Sequence, residues 1–468
     1  MKKKMIALLM ALTMVVSLTA CGSGSSTEET APAATEETAP AETEETEAPA
    51  EQEAEAPATE AGYVQGVTDT TIYIGNTAAT TGAFAGVGVP FNAGLEAALL
   101  AYNNAGGFNG LTVELKHYDD GFDAAQGMTY TKTLVEDDKV FALVGHFGTN
   151  TVAATLDYVK EAGIPAPYIV TGISDLYAEG LTGKASCYFP VQPIYDAEGR
   201  VLLARAIATP EGNFGLGGTK VGVIATTDDA GNGILTGVKR QMEEVDVEVV
   251  IQEVDAAATD YTTAMGVLKN QGCDVVIAAM NQAPVATVMS AMRDIDYNVP
   301  VITSYVSANA TFLGQLVDAG SVTADRPIYT TTWLDVTVEP GLTEMTDFMT
   351  IMAAWEAENG IDSSDPTQTY TLNSYAMSGY ICAMNFIHGL NQVEELGLDL
   401  TWENFITAME SKPFHIPMGG DIDYAGGDRI GVTSLAMQTV SLEPVNGAYA
   451  LEAVSPLISL EEVMANVK

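Results

Sequence analysis

The chain has 468 residues, a formal net charge of −43 and 47% hydrophobic residues. A surface this acidic repels phosphate backbones, which excludes nucleic acid as a partner. The length exceeds what one hydrophobic core supports and points to two lobes.

Three lysines (Lys2, Lys3, Lys4) open the chain, and residues 5–18 form an apolar run. A membrane-spanning helix needs roughly 20 such residues, so this run has the length of a signal-peptide core instead. Leu18-Thr19-Ala20-Cys21 follows and has the form of a bacterial lipobox. Its small residues admit a peptidase that cuts before the cysteine, whose thiolate can then take a thioether-linked diacylglycerol. Residues 1–21 are therefore read as a lipoprotein signal peptide and lipobox, with Cys21 as a lipid anchor. Two acyl chains hold a protein stably on a membrane where one does not. Residues 22–62 hold twelve Glu, no Lys or Arg, and almost nothing large and apolar. Such a segment cannot offset its chain entropy by burial and is read as a disordered acidic Pro/Ala/Thr/Glu linker. As a coil it reaches roughly 35–40 Å, which suits a tether holding a domain off the membrane on its outer side.

From residue 70 onward, strand and helix patterns alternate. Ile72-Tyr73-Ile74 alternates as a strand. Pro90 is expected to open a helix whose Phe91, Leu95, Leu99 and Tyr102 share one face. The NNAGG run at 103–107 stops it. A strand at 111–115, a helix ending near Glu136, a buried strand at 140–145, a helix at 150–162 and a strand near 168–170 complete this set. The pattern restarts with a helix at 195–208. Strands are then expected at 220–225, 246–252, 274–279 and 299–303, with helices at 232–244, 260–271, 284–295 and 308–318. Residues 342–412 read as mostly helical, and short strands and turns finish the chain. Two successive runs of strand–helix units imply two parallel-sheet lobes of an α/β fold.

Signatures of catalysis are missing from the sequence. It has no G-x-S-x-G elbow, no HExxH and no Walker loop. His117, His146, His388 and His415 lack metal-ligand spacing. Cys187, Cys273 and Cys382 are odd in number and far apart, so buried thiols are expected rather than a zinc site or a disulfide framework. The Gly-rich run 212–218 precedes a strand instead of following one and reads as a surface loop. Residues 421–428 (DIDYAGGD) lack the spacing of a calcium loop and read as a hairpin turn. No catalytic residue, metal or cofactor is expected, and the chain is not read as an enzyme.

Ligands of parallel α/β folds bind where strands end and helices begin. A helix N-terminus there offers free N–H groups and partial positive charge to a carboxylate. The turn 145–150 (GHFGTN) is such a place, with Thr149 or Asn150 expected to cap the next helix.

Four stretches in order carry a family resemblance: 81–88 (TGAFAGVG), 102–111 (YNNAGGFNGL), 117–123 (HYDDGFD) and Val144-Gly145-His146. From Ile72 to its end the chain resembles the extracytoplasmic solute-binding proteins of ABC importers, of the leucine/isoleucine/valine-binding type. That resemblance implies two Rossmann-like lobes with parallel sheets joined by a three-segment hinge, the type I periplasmic-binding fold. The lobes would be 63–190 plus 335–430, and 191–334 plus 431–468. It implies a monomer that captures a small-molecule ligand, an amino acid, amide or other small carboxylate, and hands it to ABC permease subunits. A ligand-sensing ectodomain signalling to a partner receptor is the other function such a fold serves. Carried over by position, Thr149 and Asn150, then Gly172, Ile173 and Ser174, would hold a ligand carboxylate. Phe84 and Val87 would wall the apolar side. The family acid that pairs with a ligand ammonium falls on Tyr305, and two family tyrosines fall on Ala230 and Asn281. The positions of a disulfide found in some relatives are Phe122 and Gly148.

Overall fold

The structure, a computed structural model, describes residues 64–336, 339–365, 368–444 and 447–467. The chain divides into Met1–Ala58 and Thr59–Lys468, and every described residue belongs to the second unit. The signal peptide, Cys21 and the linker expected at 22–62 lie outside the described residues.

The first run is β1 (Thr71–Asn76), α1 (Ala85–Asn104), β2 (Thr112–His117), α2 (Ala124–Lys132), β3 (Ala142–Leu143), α3 (Thr149–Ala162), β4 (Ala166–Ile169) and β5 (Tyr188–Pro190). The second is α4 (Tyr195–Ile207), β6 (Lys220–Thr226), α5 (Asp229–Met242), β7 (Glu248–Val254), α6 (Thr262–Asn270), β8 (Val275–Ala279), α7 (Gln282–Asp294), β9 (Val301–Thr303), α8 (Ala310–Asp318) and β10 (Ile328–Thr332). Then come α9 (Gly341–Glu358), α10 (Ser374–Glu395), α11 (Trp402–Met409), β11 (Phe414–His415), β12 (Asp421–Ile422), β13 (Leu435–Val440), β14 (Leu451–Ile458) and α12 (Leu460–Met464).

One sheet has the order β2-β1-β3 and is parallel throughout, with Ile72 opposite Val113 and Ile74 opposite Ala142. Parallel β4 and β5 continue it through backbone bonds from Leu143 N to Pro165 O (2.8 Å) and Gly145 N to Pro167 O (3.3 Å). The other sheet runs β14-β13-β10-β9-β8-β6-β7. Its five strands from β7 to β10 are parallel, while β13 and β14 are antiparallel. The strands β10, β5 and the β13–β14 pair have no counterpart among the specific strands expected above. β13–β14 carries register shifts near Met437, which break the alternation a sequence would show.

The helix expected to open at Pro90 starts five residues earlier, at Ala85, and Pro90 lies inside it. The reason is a backbone contact. A Cβ on Gly88 would lie 2.0 Å from the Ala79 carbonyl oxygen, so only glycine allows this turn to dock and wind. Gly82–Asn104 is long and apolar enough to cross a membrane by length and composition. Its apolar face is spent inside the protein, however: Phe91, Leu95 and Leu99 are buried in the core with α10 residues Ile381, Cys382 and Phe386. The two helices touch backbone to backbone. A Cβ on Gly94 would sit 1.8 Å from Ala376 O, and one on Gly379 1.8 Å from Phe91 O. Gly94→Ala is therefore expected to cost about 1–3 kcal/mol, the range for overpacking a tight core. A denaturant midpoint equal to the parent's would show that the helices can separate at no cost.

Cys187, Cys273 and Cys382 are buried free thiols, and burial pushes the Cys187 thiol up to about 12. In the β11–β12 pair His415 lies between Asp421 (Nδ1, 2.7 Å) and Glu344 (Nε2, 2.7 Å), so Asp421 serves that pair.

Candidate ligand-binding site

Strands β3, β8 and β9 each hand the chain to a turn and then a helix at one rim. At the first, Gly145 (φ 73°) and Gly148 (φ 91°) occupy left-handed backbone that disfavours other residues. Gly148 itself is the N-cap of α3, without a side-chain cap bond, so neither Thr149 nor Asn150 caps the helix as expected. Thr149 is instead the first helical residue, and its hydroxyl turns inward. It lies 3.0 Å from Thr171 Oγ1 and 3.4 Å from Tyr195 Oη. Asn150 donates from Nδ2 to the Phe122 carbonyl at 3.2 Å.

A cavity of about 90 Å³ opens at this rim. Its walls are aromatic: Phe84, Phe91, Phe122, Phe147, Trp333 and Tyr375. Phe84 stacks on Phe122 with ring centres 3.9 Å apart and planes at 23°. The Phe122 ring also lies 3.0 Å from where a Gly148 Cβ would stand. The two positions that correspond to a disulfide in some relatives are thus adjacent, and here a ring packs over a glycine. Among the candidate residues, Phe84, Val87, Thr149, Asn281 and Tyr305 line the cavity. Asn150, Gly172, Ile173, Ser174 and Ala230 are not among its lining residues. Gly172 stands just behind the wall, where a Cβ would be 2.8 Å from Tyr195 Cδ1 and 2.9 Å from Tyr305 Oη. Ile173 is buried, Ser174 is exposed at the start of a short turn, and Ala230 is buried in the first turn of α5.

Gln192, Tyr195, Gln282, Trp333 and Tyr375 also line the cavity, and sequence reasoning did not single them out. They sit in crossing segments and helix first turns, where an aromatic or amide residue has no local pattern. One signal was legible for the last of them: Asn373 caps α10 through bonds to Tyr375 N and Ala376 N, marking that helix start. Tyr375 donates to Val306 O at 2.6 Å and accepts from Gln282 Nε2, while Ser374 donates to Ala308 O. These bonds hold the start of α10 against the turns after β8 and β9.

None of the described residues lining the cavity carries a charge. Bonded to the Tyr305 backbone, Glu198 is fully buried. It accepts from Ser304 Oγ (2.6 Å), Tyr305 N (2.8 Å) and Thr331 Oγ1. Burial pushes its carboxyl up to about 7, and those three donors hold it from rising further. Tyr305 donates to Pro193 O (2.9 Å) and accepts from Gln192 Nε2 (2.9 Å). Asp228 is occupied as the cap of α5, accepting from Gly231 N at 2.9 Å and Thr226 Oγ1 at 2.7 Å.

The chain matches the family described as periplasmic binding protein over residues 71–446. It is 27% identical over 206 residues to an amino acid binding protein of Pseudomonas aeruginosa, covering 44% of this chain and 52% of that one. The chain thus spans about half the length of the curated relatives it matches. Among solved structures it resembles a fatty acid ABC transporter substrate-binding protein from Thermomonospora curvata, with a TM-score of 0.69 and 17% identity, covering 86% of this chain and 97% of that chain. It also resembles an ABC transporter solute binding protein of R. palustris in complex with benzoate, with a TM-score of 0.64 and 17% identity, covering 83% and 98%. The chain belongs to the periplasmic binding protein family. Its fold is the type I periplasmic-binding fold, and the relatives it matches are binding proteins, not enzymes.

Proposed function

We propose that this chain is a lipid-anchored, extracytoplasmic solute-binding receptor of an ABC importer, which captures a small organic ligand between two lobes and delivers it to permease subunits. The lobes are 63–190 plus 335–430, and 191–334 plus 431–468. The observation that carries this reading is the cavity itself. It draws lining residues from the turns after β3 and β8, from the crossing near Gln192, from Trp333 and from α10. A ligand there would touch both sheets' helix starts at once and favour the closed arrangement by its contacts with each. Micromolar affinity, worth about −8 kcal/mol, suffices for such a receptor. The family assignment supports the location and the binding role. The lipid anchor rests on the lipobox alone, at residues outside the described set.

Two measurements test the reading. Small-angle scattering with a broad metabolite panel is expected to show a smaller radius of gyration with at least one member. If no member causes compaction and none gives heat on titration, solute binding fails. Separately, Cys21→Ala is expected to move the protein from the membrane fraction to the soluble fraction. Retention of that variant on membranes would remove the lipid anchor.

A further inference from the structure

Three helix starts point at the cavity: Thr149 of α3, Gln282 of α7, and Ser374 and Tyr375 of α10 line it. Each helix end brings partial positive charge; Asn373 already caps the first N–H groups of α10, whereas α3 and α7 have no side-chain cap bond. Helix ends alone do not define a ligand. A second, independent observation comes from Asn281, the N-cap of α7, which is 6% exposed. Its side chain makes no cap bond to its own helix. Its carbonyl end is placed toward Tyr195, whose hydroxyl lies 3.5 Å from Asn281 Oδ1. The donor end, Nδ2, is buried and has no hydrogen-bond partner among the described residues. A buried donor left in this way is costly unless something accepts from it. On the other side, no carboxylate is among the described residues that line the cavity to receive a ligand ammonium. Tyr305 stands where the resemblance places that acid, and Glu198 behind it spends both oxygens on protein donors.

Building on the proposed solute-binding function, we infer that the ligand is an aromatic monocarboxylate without an α-ammonium group. Its anionic oxygen accepts from Asn281 Nδ2 in the positive field of the helix starts. Its ring lies against Phe84, Phe122, Phe147 and Trp333. An amino acid is rejected because its ammonium would be buried among groups that offer it no counter-charge. A neutral amide loses the charge that the helix starts favour.

The probes are phenylacetate, benzoate, phenylacetamide, L-phenylalanine and L-leucine, titrated calorimetrically into the full chain at pH 7. Phenylacetate or benzoate is expected to bind at least 30-fold more tightly than phenylacetamide and either amino acid. Asn281→Asp keeps the side-chain shape and replaces the donor with a like charge. It is expected to weaken the better aryl acid at least 30-fold while circular dichroism remains that of the parent. Asn281→Ala is expected to weaken it at least tenfold. Amino-acid binding as tight as that of the aryl acids overturns the inference and leaves solute binding standing. So does Asn281→Asp with unchanged affinity. Silence from both aryl acids also overturns it, whereas failure of the broader function has a different signature, the absence of compaction across the metabolite panel.

Discussion

Replacing Arg429 by methionine is expected to lower the unfolding free energy by about 3 kcal/mol, since it takes the donor from buried carbonyls and from the half-buried Glu410 carboxylate. Arg429 is fully buried and donates to Tyr188 O (2.5 Å), Ser186 O (2.6 Å) and Asp428 O (2.8 Å). It also meets Glu410 at 2.5 Å, and its guanidinium lies over the Phe189 ring at 4.4 Å. One side chain thus ties β5, the end of α11 and the segment after β12 together. Methionine fills much of the volume and leaves the carbonyls and the carboxylate without a donor. Denaturant unfolding checks this, and a loss under 1 kcal/mol would mean that water replaces the guanidinium freely. Lysine should recover only part of the loss, since an ammonium cannot reproduce the planar fork.

The second large effect is a pair of opposed pH dependences. His146 is fully buried with Nε2 2.6 Å from Thr155 Oγ1, and burial lowers its imidazole from 6.5 to about 4. Below pH 6.5 the unfolded chain takes up a proton that the folded chain refuses. Stability from this group is therefore present above 6.5 and lost as pH falls through about 4. Glu198 runs the other way, because its carboxyl is raised from 4.5 to about 7. Its contribution is present below 4.5 and lost as pH rises through about 7. Each shift corresponds to about 3 kcal/mol at 1.36 kcal/mol per pK unit. Relative to the parent, His146→Gln should gain about that much as pH falls from 6.5 to 4, and Glu198→Gln as pH rises from 4.5 to 7. Urea titrations across that range read both differences. Difference curves of the same sign, or flat ones, would contradict the burial argument.

Much of the α/β order was legible because parallel strands and their helices repeat the same local pattern. Strand β6 (Lys220–Thr226) and helix α7 (Gln282–Asp294) fall within a few residues of their expected places. The misreadings have physical causes. At α1 the helix begins before Pro90 because Gly88 docks on Ala79, a contact invisible to local propensity. At α3 the cap passes from Thr149 and Asn150 to Gly148, because the chain enters the helix through positive φ. In the cavity, Phe84, Val87, Thr149, Asn281 and Tyr305 were reached by position along a family pattern. Gln192, Tyr195, Trp333 and Tyr375 were not, since each becomes a neighbour only when distant crossings and α10 come together.

By itself the sequence determined the acidity, the regular strand–helix repeat and the family to which the chain belongs. These are local or compositional properties, written in charge, periodicity and short motifs. The tertiary structure decided which side chains face one another. Only folding sets Asn281 beside Tyr195 with its donor unspent, turns both Glu198 oxygens toward protein donors, and gathers rings from residue 84 to residue 375 around one cavity whose described lining carries no charge. Such contacts join residues up to about three hundred positions apart, and their energies depend on burial that no local pattern encodes.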